Sequence, residues 1–242
     1  MDRRALALLL LLTACGGGAA VTTRAPDSTS PGATTTAPTP SSTTKAEPAI
    51  DPRDEELADA ALLRSADLPG WSASSDPAPS DAGPFEQPPR GCEHLGTVTA
   101  IGTTSAHVVS PTFTAPDDVS TLSNELRVYT RSDDAATALA TFDQPETAAC
   151  LETLITSSGA GLFVSSARVQ RQLLDVADGG VRHLVTVEVE QDGELHMFVA
   201  EFSLARIGRA ISFQSAFGYG TVPNEAAFAM DAVIRRVQPA FG

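Results

Sequence analysis

Three cysteines carry the most definite chemistry in this chain, because a thiol can be lipidated, oxidised or bound to a metal. Cys15 follows a short apolar segment that begins after Arg3 and Arg4. Cys92 and Cys150 remain as an even pair, and in an oxidising compartment such a pair predicts a disulfide. Two buried free thiols are the alternative. A metal site is not expected, because the sequence has no CxxC or HExxH spacing.

The segment before Cys15 has the layout of a secretory signal, with a basic start, an apolar stretch and small residues ahead of a cleavage point. Its end, Leu12-Thr13-Ala14-Cys15, resembles the lipobox of bacterial lipoproteins. The resemblance implies that residues 1–14 are removed and that the Cys15 thiol carries a diacylglycerol. The apolar stretch Ala5–Leu12 is too short for a transmembrane helix, which needs about 20 apolar residues. An ordinary signal peptide cleaved after Ala14 is the alternative.

Composition divides the remaining chain into a tether and one domain. Residues 15–50 are dense in Thr, Pro, Ser, Ala and Gly and lack the apolar residues of a core, so we predict a disordered spacer. O-glycosylation of this spacer is the functional alternative. Residues 51–242 are enough for a single domain. The formal net charge of −14 argues against binding to nucleic acid and against electrostatic attraction to anionic lipid.

The folded part is predicted to be α+β. Acidic residues in the first turn of Asp54–Leu63 and apolar residues on one of its faces predict a helix. Further helices are expected from Ser132, Pro145 and Asn224, and the Pro-rich stretch Ser72–Gly91 is expected to be an irregular loop. Strands are expected near residues 106–114, 122–130, 163–174, 181–191, 194–206 and 209–217. Because the strands group together, we predict a mainly antiparallel sheet of about six strands with helices packed on one face.

Two turns set the expected register of the C-terminal strands. Asp192-Gly193 favours a two-residue hairpin that places Val187 opposite Phe198. A second turn at Ile207-Gly208 would place Phe198 opposite Phe217. One face then stays apolar through three strands, so the two registers agree with each other.

The titratable side chains do not form a pattern typical of catalysis. Glu188, Glu190 and Glu201 are expected on a solvated face of the sheet, and His183 and His196 are expected to be hydrogen-bonded core or edge residues. The sequence has no GxSxG, P-loop or GxGxxG motif, and Ser157 and Ser158 have no positioned base nearby in sequence. We therefore expect no enzymatic activity, no cofactor and no metal.

Three aromatic residues are the candidates for contact with a ligand. Trp71 follows Pro69-Gly70 and precedes the Pro-rich stretch, where it could stack on an apolar ligand at the mouth of a groove. Phe217 and Tyr219 flank a glycine at a strand end and could form part of the same rim. The alternatives are that Trp71 fills the core and that Phe217 and Tyr219 belong to a turn into the last helix.

Two segments resemble a known family. The first is Asp67–Trp71 followed by Cys92 and by a helix that carries Cys150, and the second is Ala205–Ile211 followed by a closing amphipathic helix. Together they resemble the PknH-like extracellular sensor domains of mycobacterial kinases and actinobacterial lipoproteins, over residues 54–242. The resemblance implies an α+β domain with an open cleft, a ligand-binding or sensing role and no catalysis. That family usually has two disulfides, whereas this chain can form one.

The sequence therefore favours a lipid-anchored, sensor-like binding module on the extracytoplasmic face of the cell membrane. Its expected ligand is an envelope lipid, a glycan or a small apolar molecule. The alternative is an accessory lipoprotein that binds another cell-envelope protein. In both cases the membrane is reached through the lipid at Cys15, and no nucleic acid is involved.

Overall fold

A computed structural model describes residues 50–77, 92–158, 163–176, 178–191 and 193–242. These residues form an α+β fold built on an antiparallel sheet, as predicted. The helices are α1 (Pro52–Ala61), α2 (Glu93–Ala100), α3 (Ser132–Phe142), α4 (Pro145–Ser158) and α5 (Glu225–Phe241). The strands are β1 (Ser72–Pro77), β2 (Thr104–Val109), β3 (Pro111–Thr114), β4 (Thr121–Tyr129), β5 (Phe163–Leu173), β6 (Gly180–Gln191), β7 (Glu194–Ile207) and β8 (Ala210–Tyr219). The predicted signal, Cys15 and nearly all of the predicted tether lie outside the described residues.

Within the described ranges the sheet has eight strands, whereas the sequence predicted about six. The strand order is β1-β3-β4-β8-β7-β6-β5, and β2 also pairs with β4. The strand predicted near residues 106–114 is divided at Ser110 into β2 and β3. β1 lies inside the stretch predicted to be an irregular loop. Its sequence SASSDP has no apolar alternation, and it joins the sheet by pairing with β3 at one edge.

Helices cover both faces of the sheet, and the prediction of helices on one face is corrected accordingly. α1 and α5 pack on the face that carries Leu126, Val128 and Ala205. α2, α3 and α4 pack on the opposite face, which carries Leu204 and Val185. Side chains that are neighbours in a strand point to opposite faces. Because Leu204 and Ala205 are both fully buried, both faces of β7 require a cover.

α1 is attached to one end of the sheet. Asp51 caps its first turn, and the Asp51 backbone N–H donates to Ser105 O over 2.8 Å. The buried carboxylate of Asp54 accepts two hydrogen bonds of 2.6 Å from the Arg209 guanidinium and one of 2.6 Å from Ser105 Oγ. These bonds join α1 to β2 and to the turn between β7 and β8.

The predicted register between β6 and β7 is confirmed. Val187 pairs with Phe198, and His183 pairs with Phe202. Gly193 adopts a φ of +81°, a left-handed conformation that a two-residue hairpin turn requires and that glycine adopts at little cost.

The predicted register between β7 and β8 is wrong by two residues. Phe198 pairs with Tyr219 instead of Phe217, because the turn consists of Gly208 and Arg209. Gly208 takes a φ of +56°, and a side chain there would overlap Phe241 O at the end of α5. A shift of two residues leaves each side chain on the same face, so the predicted apolar face is preserved.

Candidate functional site

The disulfide predicted between Cys92 and Cys150 is present, with Cα atoms 5.2 Å apart. Cys92 directly precedes α2, and Cys150 lies in α4. Both cysteines are buried in the core cluster that contains Tyr129 and Phe142. The bridge therefore ties two helices together within the layer that they form on one face of the sheet.

Trp71 does not share a rim with Phe217 and Tyr219. Trp71 is half-buried and packs on the core beneath α1 and α5. Phe217 packs on the opposite face, where its ring stacks on Phe198 with centroids 5.5 Å apart. Tyr219 lies on that same face and meets Phe198 edge-on at 5.4 Å. Contact of any of these residues with a ligand stays a prediction. Because Trp71 lies on one face of the sheet and the other two residues lie on the opposite face, they do not line a common groove.

The two histidines occupy the kinds of position that the sequence predicted. His183 is fully buried, with Nε2 3.3 Å from Phe142 O, and burial is the main cause that lowers its pKa below the usual value for histidine. His196 lies near the end of β7, with Nδ1 3.0 Å from the hydroxyl of Tyr219, which is 39% exposed. Both histidines make structural contacts, and His183 Nδ1 is buried without a hydrogen-bond partner among the described residues.

A row of polar side chains crosses five neighbouring strands on the face covered by α1 and α5. Cross-strand pairing brings together, in order from β4 to β5, Asn124, Gln214, Ser203, Arg182 and Gln172. The first three of these residues are almost completely buried, and the last two are partly exposed. The polar row therefore runs from beneath α5 to a more open part of the sheet.

The buried end of the polar row is attached to the protein backbone. Asn124 Nδ2 donates to Phe213 O over 2.9 Å, and Gln214 Nε2 donates to Ala226 O in the first turn of α5 over 2.8 Å. The oxygens Asn124 Oδ1 and Gln214 Oε1 are buried and have no hydrogen-bond partner among the described residues. These bonds position the start of α5 over the sheet.

The open end of the polar row leads into a cleft of about 330 Å³ between the sheet and the start of α5. Its walls combine polar and aliphatic side chains with the loop from β8 to α5. The residues that line it are Gln172, Arg182, Leu184, Val199, Glu201, Gly220, Thr221, Val222, Pro223, Asn224, Ala226 and Ala227. This cavity combines charged side chains with room for a small molecule.

A charged pair forms part of the cleft wall. Arg182 Nη1 lies 3.5 Å from Glu201 Oε2, and Arg182 Nη2 donates to Gln172 Oε1 over 2.7 Å. Ser203 Oγ donates to the other carboxylate oxygen, Glu201 Oε1, over 2.5 Å. Arg182 Nε is buried and has no hydrogen-bond partner among the described residues. Because 29% of the Arg182 side chain is exposed, its guanidinium can donate to a molecule in the cleft, and the Glu201 carboxylate can accept.

Glu201 is the residue that sequence reasoning placed wrongly. It was expected on a solvated face, but only 4% of it is exposed. Strand alternation identifies which face a side chain occupies, and it does not identify what covers that face. The loop from β8 and the first turn of α5 provide the cover. The sequence did contain a signal for the charged pair. The predicted hairpin register pairs Glu201 with Leu184, and this pairing puts Glu201 on the same face of the sheet as Arg182.

A second charged cluster lies on the opposite face of the sheet. His107 Nε2 is 2.8 Å from Glu125 Oε1, and Arg127 Nη2 is 3.0 Å from the same oxygen. Burial acts to raise the pKa of Glu125, but the hydrogen bonds and charges of His107 and Arg127 outweigh it and lower the pKa. The small cavity next to this cluster holds about 10 Å³ and gives no room for a ligand.

Two other ion pairs attach helices to each other and to the sheet. Asp54 and Arg209 join α1 to the β7–β8 turn, as described above. Asp67 accepts two hydrogen bonds from Arg236, at 2.9 Å and 2.8 Å. Arg236 also donates to Ala61 O and Leu62 O, so it satisfies carbonyl groups at the end of α1. Both pairs are explained by their role in packing.

This chain shows limited similarity to known proteins. No protein-family model matches it, and no curated protein matches it. A solved structure of the extracellular domain of PknH from Mycobacterium tuberculosis aligns with a TM-score of 0.46 and 13% sequence identity, over 76% of this chain and 96% of that chain. Neither value assigns this chain to a family. None of the helices in the described ranges is long and apolar enough to cross a membrane.

Proposed function

We propose that this chain is a sensor-like binding module without catalytic activity, held on the extracytoplasmic face of the cell membrane by a lipid at Cys15. The module would hold a small cell-envelope molecule in the cleft between β5–β7 and the start of α5. The lipid anchor is supported by the sequence up to Cys15, and the binding role is supported by the cleft.

The cleft is the observation that carries the binding role. A volume of about 330 Å³ lies at the lower end of the range for small-molecule sites. Such sites combine an aliphatic wall with a few polar groups that orient the ligand. Here Leu184, Val199 and Pro223 supply the wall, while Arg182 and Glu201 supply the polar groups.

The absence of catalysis is proposed from the surroundings of the charged pair. General acid–base catalysis needs a proton donor or acceptor within reach of a reacting group, and nucleophilic catalysis needs a nucleophile beside a base. Among the cleft residues that the structure describes, Thr221 is the hydroxyl-bearing residue, and its Oγ1 lies 3.3 Å from Val222 O. That arrangement supports binding better than bond cleavage.

Native mass spectrometry of the full-length protein extracted from its own membrane would test the binding role. We expect a small molecule to co-purify with wild-type protein and to be lost from the Glu201→Gln variant. Glu190→Gln is the matched control, because Glu190 is exposed on a neighbouring strand outside the cleft and loses the same charge. The proposal would be overturned if wild-type protein co-purified with a stoichiometric protein partner and with no small molecule.

The lipid anchor requires its own test. Wild-type protein should incorporate an alkyne-labelled fatty acid and partition into the detergent phase, whereas the Cys15→Ser variant should do neither. Equal labelling of the two proteins would show that Cys15 does not carry the lipid.

A second candidate function is the binding of another envelope protein. The observation that favours it is the pair Leu195 and Met197, which are 66% and 41% exposed on one face of the β6–β7 hairpin. Exposed apolar side chains that lie together are typical of interaction sites. Replacement of both residues by serine should abolish co-purification of a partner if this function is the correct one, and should leave a ligand in the cleft unaffected.

A further inference from the structure

We infer that the molecule bound in the cleft is a neutral, hydroxyl-rich ligand, namely a sugar residue of an envelope glycan or glycoconjugate. This inference rests on the proposed binding function and narrows the class of ligand. It is argued from the charges, the hydrogen-bonding capacity and the walls of the cleft.

The charges of the cleft favour a ligand without net charge. Arg182 and Glu201 are the charged side chains among its lining residues, and their formal charges cancel. An anionic ligand would compete with Glu201 for Arg182, and a cationic ligand would compete with Arg182 for Glu201. Glu225, in the first turn of α5, adds a further negative charge near the rim and offsets the positive end of the helix dipole.

The hydrogen-bonding capacity of the charged pair is incompletely used. Glu201 is 4% exposed, yet Glu201 Oε2 has only the 3.5 Å contact with Arg182 among the described residues. The side chain of Arg182 is 29% exposed and lines the cleft, so its guanidinium can donate to a ligand there. Buried polar groups are normally hydrogen-bonded, and a buried charge that lacks partners is unfavourable. A hydroxyl group both donates and accepts, so it can bond to the carboxylate and to the guanidinium at once.

The same argument excludes a purely apolar ligand. Covering a charged pair with hydrocarbon removes its water and replaces none of the lost hydrogen bonds, which has a large free-energy cost. A sugar ring avoids this cost, because its hydroxyl groups take the place of water. Its C–H faces can lie against the aliphatic wall formed by Leu184, Val199 and Pro223.

Asn224 adds a second polar contact on the opposite wall. It is exposed at the start of α5, and its side chain does not cap the helix. Its carboxamide therefore offers one donor group and one acceptor group toward the cleft. Polar groups on two walls, with aliphatic surface between them, match a ring that carries hydroxyl groups around its edge.

A glycan array probed with the full-length protein in a sugar-free detergent would test this inference. The array should contain neutral glycans, acidic glycans with uronic acids and basic glycans with free amino sugars. We expect binding to neutral members. The affinity should be at least about 10-fold lower for Glu201→Gln, which loses a hydrogen bond to a charged group, and about 2- to 10-fold lower for Asn224→Ala, which loses a hydrogen bond between neutral groups. Glu190→Gln should bind as wild type does.

Two variants are needed because Glu201→Gln alters a buried pair, whereas Asn224→Ala changes an exposed side chain that makes no cap. Thermal unfolding of each variant reports whether it is folded. Binding restricted to acidic or basic glycans, or an apolar molecule found in the cleft, would refute the sugar class and leave the binding function in place. If no glycan binds, and if the protein co-purifies with a protein partner instead of a small molecule, both the sugar class and the binding function are refuted.

Discussion

The ion pair between Asp54 and Arg209 allows a quantitative test of how the domain is held together. The Arg209 guanidinium donates two hydrogen bonds of 2.6 Å to the Asp54 carboxylate, and it also donates to Ser105 Oγ and Tyr129 O at 3.2 Å. The side chain of Asp54 is 8% exposed, whereas that of Arg209 is 32% exposed. Arg209→Met would remove the guanidinium, whose Cζ also lies 5.2 Å from the centroid of the Phe241 ring.

The expected loss of stability follows from what remains at Asp54. Removing one partner of a fully buried ion pair costs about 3–5 kcal/mol, because the other charge stays buried without compensation. Two features lower that figure here: Ser105 Oγ still donates to the carboxylate over 2.6 Å, and the Arg209 side of the pair is partly solvated. We expect Arg209→Met to lower the free energy of unfolding by about 2–3 kcal/mol at pH 7.

The dependence on pH distinguishes this ion pair from a simple packing contact. The hydrogen bond from Arg209 is the largest cause that lowers the pKa of Asp54 below the usual value for aspartate, against the opposing effect of burial. A folded-state pKa below the unfolded one means that the stabilisation is present above pH 3.8 and is lost as the pH falls through the folded-state pKa. In the variant, burial opposes the charged form without a guanidinium, so protonation of Asp54 relieves the defect.

The assay is urea unfolding of wild type and variant, followed by fluorescence and circular dichroism, at pH 7 and at successively lower pH. The difference in unfolding free energy should be largest at pH 7 and should shrink toward pH 4. A loss below about 0.5 kcal/mol at pH 7, which is typical of an exposed pair, would falsify the argument. A loss of equal size at every pH would also contradict it, because it would point to packing instead of charge.

Three further predictions concern the stability of the fold. Reduction of the disulfide, which closes a loop of 58 residues, should add two hydrogens to the intact mass and lower the unfolding free energy by about 4 kcal/mol on the chain-entropy model. Burial lowers the pKa of His183 in the folded protein, so the free energy of unfolding should decline as the pH falls below 6.5 toward that folded-state pKa. His183→Gln should remove this part of the decline, as measured by urea titrations at each pH. Gly208→Ala should lower the stability measured by thermal unfolding at least twice as much as Gly193→Ala does. Both glycines have a positive φ, but of the two only Gly208 has a Cβ position that overlaps Phe241 O. Equal losses of stability would contradict this contact.

The hairpin that joins β6 and β7 could be predicted to the residue, because its turn has a sequence signature. Asp192-Gly193 limits the loop to two residues, and the alternation of apolar residues then fixes the pairing. The next turn has glycine at Gly208 but no second signal, so the pairing of β7 with β8 was displaced by two residues. Periodicity alone cannot detect such a shift, since it leaves every side chain on the same face.

The layer that covers each strand could not be predicted from the sequence. Glu201 is polar and lies in the alternation where a solvated residue is expected, yet α5 and the loop before it bury that position. The cleft therefore depends on tertiary packing that no local pattern encodes. α2 was missed for a related reason: its sequence EHLGTVTA contains a glycine and β-branched residues of low helix propensity, and its neighbours in the core hold it in place.

The start of the described chain and the cleft lie at opposite ends of the domain. Asp51, the second described residue, lies beside the β7–β8 turn and the end of α5, because Asp54 is bonded to Arg209 and Gly208 touches Phe241. The cleft lies at the opposite end of α5, which is 17 residues or about 25 Å long. With the anchor proposed at Cys15, the tether would join the domain at the pole away from the cleft. The tether would then leave the mouth of the cleft unobstructed, so that a molecule from the layers outside the membrane could enter it.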